Sequence, residues 1–127
     1  MGRIVISAAQ DRGWNVANVS EALVAEALES LGYGPSEVKS QYKVGRYRLD
    51  FAFLASRLDI EADGWVHTAG NIRARDAARD SRLGELGWKV IRIDTDAGDI
   101  EAQLCRNLGL VPYNVLHERV QRARAER

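Results

Sequence analysis

Two strand-length runs, Arg46 to Phe53 and Leu58 to Asp63, follow one another with only residues 54 to 57 between them, and each sets acids among apolar neighbours. So short a connection allows an antiparallel hairpin and excludes a parallel pair. Side chains alternate between the faces of a strand. Leu49, Phe51 and Phe53 are therefore expected on one face of the first run, with Asp50 and Ala52 on the other. In the second run Leu58, Ile60 and Ala62 share the apolar face, and Asp59, Glu61 and Asp63 point the opposite way. A symmetric hairpin around Ala55-Ser56 pairs residues whose numbers sum to 111, which sets Asp50 across from Glu61. Ala-Ser is a weaker turn pair than Asn-Gly or Asp-Gly, so a bulge or an asymmetric loop is the competing arrangement.

Like charges directly across a sheet cost about 0.2 to 1 kcal/mol relative to a neutral pair. A divalent cation would offset that cost, because Mg2+ takes hard oxygen ligands and is commonly held by one or two carboxylates plus substrate phosphate. Asp63, two residues beyond Glu61, falls on the same face and is a third candidate ligand. The alternative is a solvated sheet face whose acids pair with Arg46, Arg48 and Arg57.

The 127 residues fit one domain, large enough to bury about two-thirds of its unfolded surface without a disulfide or structural metal. The single cysteine, Cys105, excludes an internal disulfide and fits a reducing compartment. No apolar run approaches the roughly 20 residues of a membrane span, and Ile4-Val5-Ile6 is too short for a signal peptide. The expectation is a soluble, intracellular, cytoplasmic protein with no membrane partner. Basic and acidic residues balance at 18 each, so composition carries no nucleic-acid signal. Arginines far outnumber the lysines at 39, 43 and 89, a bias that suits bidentate phosphate contacts and that a GC-rich genome would also produce.

Along the chain, residues 1 to 19 read as a short strand at Arg3 to Ser7 followed by a break at Gly13, wrapping or capping the domain. Ser20 reads as the N-cap of a helix over 21 to 31, which Gly32-Tyr33-Gly34-Pro35 terminates. Val38 to Lys43, Tyr47 to Leu54 and Leu58 to Asp63 read as three strands, and a polar helix over about 72 to 86 leads to a fourth strand at Trp88 to Ile93. A short helix from Asp99 to Leu108 and an arginine-rich helix opened by Pro112 complete the chain. The helical crossover favours a parallel pairing of strands three and four, hence an α/β fold with a mixed four-stranded sheet flanked by helices. On this reading residues 1–127 form a single domain with its core at about 20–96 and a helical extension over 97–127. Val115, Leu116, Val120 and Ala123 in that extension offer a surface on which two copies could pair as a homodimer.

Other chemistry-bearing residues gather around the hairpin. His67 follows Asp63 by four residues, past a glycine where the chain can turn back, and could serve as general base or acid; it could equally be a loop histidine with no role. In the polar helix Asp76, Arg79 and Leu83 share one side, and Arg75, Arg79 and Arg82 form a basic stripe suited either to a phosphate backbone or to internal Asp–Arg pairs. In the first helix Glu21 lies beside the apolar stripe and Glu26 is a second candidate, although a first-turn Glu also serves the helix dipole.

The order of these pieces resembles a known family. A Glu-bearing helix, Tyr47-Arg48-Leu49-Asp50-Phe51, Ile60-Glu61-Ala62-Asp63-Gly64, His67, Asp76-Ala77-Ala78-Arg79 and Gly87-Trp88-Lys89-Val90-Ile91-Arg92 look like the Vsr-like branch of the PD-(D/E)xK nuclease superfamily, which includes very-short-patch-repair and phage EDxHD homing endonucleases. The resemblance implies a restriction-endonuclease-like αβββαβ core and Mg2+-dependent endonuclease hydrolysis of DNA phosphodiesters, with Mn2+ as a substitute, in a protein of phage or mobile-element origin. It places Glu21 or Glu26, Asp50, His67 and Asp76 at the EDxHD positions, and Asp50, Glu61 and Asp63 around the metal. Arg46, Arg48, Arg75, Arg79 and Arg82 would contact DNA. Where the superfamily usually carries lysine this chain has Asp63, which shifts the burden of activating water toward His67. The competing readings are a non-catalytic nucleic-acid-binding module with the same fold, and an RNase or toxin-type nuclease.

Overall fold

The computed structural model describes residues 2–64 and 70–109. His67 and the helix expected from Pro112 lie outside the described residues, as does the side chain of Arg75. The elements run α1 (Gly2–Asp11), α2 (Val19–Ser30), β1 (Lys39–Val44), β2 (Tyr47–Phe53), β3 (Leu58–Asp63), α3 (Gly70–Glu85), β4 (Lys89–Asp94) and α4 (Ile100–Leu108). The strands form one sheet in the order β1-β2-β3-β4. β1, β2 and β3 meander antiparallel, and α3 carries the chain across to β4, which pairs parallel to β3. The fold is thus the mixed α/β sheet with flanking helices expected from the sequence. Among the described residues no helix is long and apolar enough to cross a membrane.

The sheet separates two apolar clusters. On one side Phe51, Ile60, Ile91 and Ile93 pack beneath α1, α2 and α4, together with Val24, Leu28 and Leu104. On the other, Leu83 of α3 closes a smaller cluster over Leu49 and Ala52, bordered by Val44, Tyr47, Trp88 and Val90. Burial of side chains this size contributes on the order of 1.5 to 3 kcal/mol each, so the two clusters fix where α2 and α3 lie.

The N-terminus departs from expectation. Residues 3 to 7 are not a strand but the middle of α1. The β-branched run Ile4-Val5-Ile6 favours a strand locally, yet Val5, Ile6 and Ala9 fall on one helical side and pack into the main cluster. Beyond the turn at Gly13 (φ 101°), Trp14 enters the core and meets Phe51 edge-on at 5.7 Å, so the segment does cap the domain. The cap of α2 is also displaced. Asn18, not Ser20, accepts the Glu21 N–H at 2.9 Å, while the Ser20 hydroxyl accepts from Thr95 at the end of β4.

The β2–β3 register matches the expected sum: Phe51 pairs with Ile60, Ala52 with Asp59 and Phe53 with Leu58. The expected sharing of one face by Leu49 and Phe51 fails. Leu49 lies in the α3-side cluster and Phe51 in the opposite one. β1 reverses at the same level: its Ser40 pairs with Phe51 and its Tyr42 with Leu49, but Gln41, between them, adopts φ 53°. A left-handed residue rolls the strand by one side-chain position. Both strands turn over together there, with Asp50 at the turning point.

Gln41 holds this conformation while its amide donates to Glu21 Oε1 at 3.0 Å. Gln41→Ala would keep the left-handed backbone and remove the bond, destabilising the domain by about 1 to 3 kcal/mol because Glu21 is buried. Gln41→Gly loses the same bond but relieves the backbone, and should be about 1 kcal/mol more stable than the alanine variant. Urea unfolding of the three proteins checks the ranking of wild type above glycine above alanine.

Candidate active site

Asp50 and Glu61 are tied through each other's strands. The Asp50 N–H donates to Glu61 Oε2 at 2.8 Å, and Asp50 Oδ2 accepts the Ala62 N–H at 2.9 Å. Side chains thus take the place of backbone partners just beyond the Phe51–Ile60 pair. The roll at Gln41 and Asp50 makes this possible, because a regular ladder would spend the Asp50 N–H on a carbonyl.

Further acids crowd the same place. Asp59, on the same strand as Glu61, is 0 % exposed, and neither of its carboxylate oxygens has a hydrogen-bond partner among the described residues. Glu21 reaches the site from α2, where it is 8 % exposed and accepts from Ala17 N–H, Asn18 Nδ2 and Gln41 Nε2. Glu26 faces solvent.

Two arginines answer these charges. Arg79 of α3 donates to the Arg48 carbonyl at 2.7 Å, lies 3.1 Å from Glu61 Oε1 and 3.9 Å from Asp59 Oδ2, and touches Asp80. Arg92 of β4, the parallel neighbour of Glu61, binds Asp80 at 2.8 and 3.0 Å and approaches Asp63 at 3.4 Å and Asp76 at 3.6 Å. Asp80 links the two. Arg46 and Arg48 have exposed side chains away from these acids, as does Arg82, which pairs with Glu85 at 2.6 Å. Arg57 also turns elsewhere, donating to the Leu86 carbonyl at 3.1 Å. The pairing therefore comes from α3 and β4 and not from the hairpin's own arginines.

Burial dominates the electrostatics. It pushes the Asp50 carboxyl up to about 7, helped by the Glu61 charge and opposed by the Ala62 N–H bond. Burial, then Glu61, pushes Asp59 up to about 10. Burial works against the Arg92 charge, but Asp80, Asp63 and Asp76 outweigh it and raise its pKa.

Sequence reasoning passed over Asp59, Asp80, Arg92 and Gln41. Asp59 stood on the acidic face of its strand, and its depth depends on α3 closing over it. Arg92 was discoverable, since the parallel register sets it beside Glu61. Gln41 carried no signal, because glutamine does not announce a left-handed backbone. Among the described residues no group of three or more His, Cys, Asp or Glu side chains is arranged to hold a metal ion. Asp50 and Glu61 nonetheless present hard oxygens side by side in a part-buried setting. Such a donor set fits Mg2+, which needs one or two carboxylates and completes its shell with water and phosphate.

Residues 20–97, more than half of the chain, match the restriction-endonuclease-like family REase_MTES_1575. That family points to a nuclease-type function. The chain is 37% identical over 65 residues to the uncharacterized protein YcjD of Escherichia coli, covering 51% of this chain and 54% of that protein. It is 38% identical over 50 residues to an uncharacterized protein of Haemophilus influenzae, covering 39% and 41% respectively. The chain thus spans about half or less of the length of these curated relatives. No solved structure matches it.

A carboxyl raised in the folded state keeps its proton where the unfolded chain has released it, so stability falls as pH rises through that window. For Asp50 the window runs from about 4 to about 7, and for Asp59 from about 4 to about 10. Asp59→Asn replaces a side chain that must stay neutral with one that is always neutral. In EDTA, thermal unfolding at pH 5 and pH 9 should show the wild type losing stability with rising pH and the variant losing less, with the variant ahead at pH 9. A flat wild-type profile would contradict this account.

Proposed function

Because the chain belongs to the restriction-endonuclease-like family REase_MTES_1575, we propose that it is a metal-dependent DNA endonuclease of the Vsr/EDxHD kind. The observation that carries the reading is the mutual tie between Asp50 and Glu61, which holds a half-buried and a buried carboxylate together. Asp50 and Glu61 would hold Mg2+ or Mn2+, with Asp63 the further candidate at the end of β3. When bound, such an ion lowers the pKa of its water and stabilises charge on a phosphate.

The protein's own residues prepare that site. Asp50, raised to about 7, takes or gives up a proton near neutrality, and a cation beside it would favour the carboxylate. Arg79 fixes Glu61 from the α3 side and leaves its other oxygen on the Asp50 N–H. Glu21 steadies Gln41, and Gln41 sets the roll that presents Asp50. Arg92 gathers Asp63, Asp76 and Asp80 at the end of the sheet. His67 would be the proton-transfer group, with Asp76 to orient it. Arg46, Arg48 and Arg82, open to solvent, are the arginines best suited to DNA phosphates, with Arg75 on the same helix. Arg79 belongs with the acids.

A second reading has its own support. Arg79 and Arg92 already pair the acids, which suits a non-catalytic nucleic-acid-binding module with the nuclease fold. Plasmid cleavage with Mg2+ and with EDTA, for wild type, Asp50→Ala and Glu61→Gln, separates the two. The endonuclease reading expects wild-type nicking in Mg2+ and both variants reduced to the EDTA level. Equal cleavage by wild type and Asp50→Ala would sink the site assignment, and DNA binding without nicking by any of the three would favour the module. An RNA substrate in parallel separates a ribonuclease.

A further inference from the structure

Beyond the acids, on the far side of Leu83, the surface changes character. Two adjoining concavities of about 380 and 600 Å3 share Val44 and Leu86 and form one trough between the β1–β2 turn and the C-terminal half of α3. Ala78, Arg82 and Leu86, four residues apart, line its helix side. Lys43, Arg46, Arg57 and Arg82 border it, and no acidic residue among the described ones lines it. Among the described residues Arg82 alone of these arginines has a carboxylate partner, Glu85, which stands outside the trough.

The same trough holds exposed apolar surface. Of the large apolar side chains most open to solvent among the described residues, Tyr42, Leu54 and Leu86 all line it. Tyr42, 36 % exposed, stands with its ring 6.3 Å from that of Trp88 at an interplanar tilt of 41°, and Arg46 lies over the Tyr47 ring at 5.2 Å. Cations alone would suit any polyanion, and aromatic rings alone any apolar partner. Their combination suits a strand that offers phosphates and unstacked bases at once, because base–aromatic stacking needs a free π-face that a duplex keeps covered.

We propose that this trough binds single-stranded nucleic acid, with bases against Tyr42 and Trp88 and phosphates on Lys43, Arg57 and Arg82. The inference rests on the nucleic-acid reading of the protein and not on cleavage. It separates the molecule into an acidic centre on the side of α3 that carries Arg79 and a cationic, aromatic groove along the side that carries Ala78 and Arg82. A chain of zero net charge thereby acquires a polyanion site by segregating its charges.

The test is fluorescence anisotropy of the full chain in EDTA with labelled oligo-dT and oligo-U of about 16 nucleotides, and with a duplex of the same length. Wild type should bind a single strand more tightly than the duplex, and preference between dT and U would name the sugar. Tyr42→Ala should weaken that binding about fivefold or more, and Lys43→Ala should lower the log-log salt slope by about 0.7. Both side chains are exposed, and circular dichroism with thermal unfolding verifies the fold. Equal affinity of wild type and Tyr42→Ala, duplex bound as tightly as single strand, or no binding by wild type would each overturn the proposal, whether or not plasmid is cut. So would sedimentation showing a dimer that Tyr42→Ala dissociates, since the trough would then join two copies.

Discussion

The arrangement depends on the cost of placing carboxylates under a helix. Asp50, Asp59 and Glu61 come from neighbouring strands, and α3 covers them, so each loses water and gains a like-charged neighbour. Burying such groups without partners is among the most expensive things a small domain can do. Three different devices offset the cost here. Glu61 has the Asp50 N–H and the Arg79 guanidinium, Asp50 has the Ala62 N–H, and Asp59 is favoured in its neutral form. The positions of α3, β4 and the rolled hairpin all serve this balance: α3 brings Arg79, β4 brings Arg92, and the roll frees a backbone N–H for a side chain.

The apolar packing is divided accordingly. The larger cluster lies away from the acids, beneath α1, α2 and α4, and could hold the sheet without them. The smaller one, built on Leu49, Ala52 and Leu83, holds α3 down beside the acidic patch. Apolar contact at Leu83 of α3 thus supports ion pairing one turn earlier, at Arg79 and Asp80. Leu83 and Arg79 lie four residues apart on one side of the helix, so a single orientation satisfies both demands.

Much of this was legible from periodicity. The order of elements, the parallel β3–β4 pair and the 111 register follow from alternation, loop length and the helical spacing between strands three and four. The local error at α1 arose because Ile4-Val5-Ile6 obeys strand propensity, whereas packing against α2 decides the matter. The error at Leu49 had a different source. Strict alternation assumes every residue sits in the β region, and one left-handed Gln41 breaks that assumption for two strands at once. For the candidate site, the acids were visible because an alternating strand displays them. Their partners were less so, since Arg79 read as equally suited to DNA and Arg92 only gains meaning once β4 lies parallel to β3.

Closing the β2–β3 hairpin takes a four-residue connection, whereas pairing β3 with β4 requires all of α3 and its flanks. The hairpin can therefore assemble while its acids still face water, where repulsion at 4 Å costs only about 1 kcal/mol. The dehydrating element and the first compensating guanidinium then arrive in one piece, because α3 carries Arg79 itself, and Arg92 follows with β4. On a ribosome, where the N-terminal part emerges first, a chain extended as far as β3 has the hairpin acids and neither arginine. Such a nascent chain is an open acidic ribbon without the assembled centre.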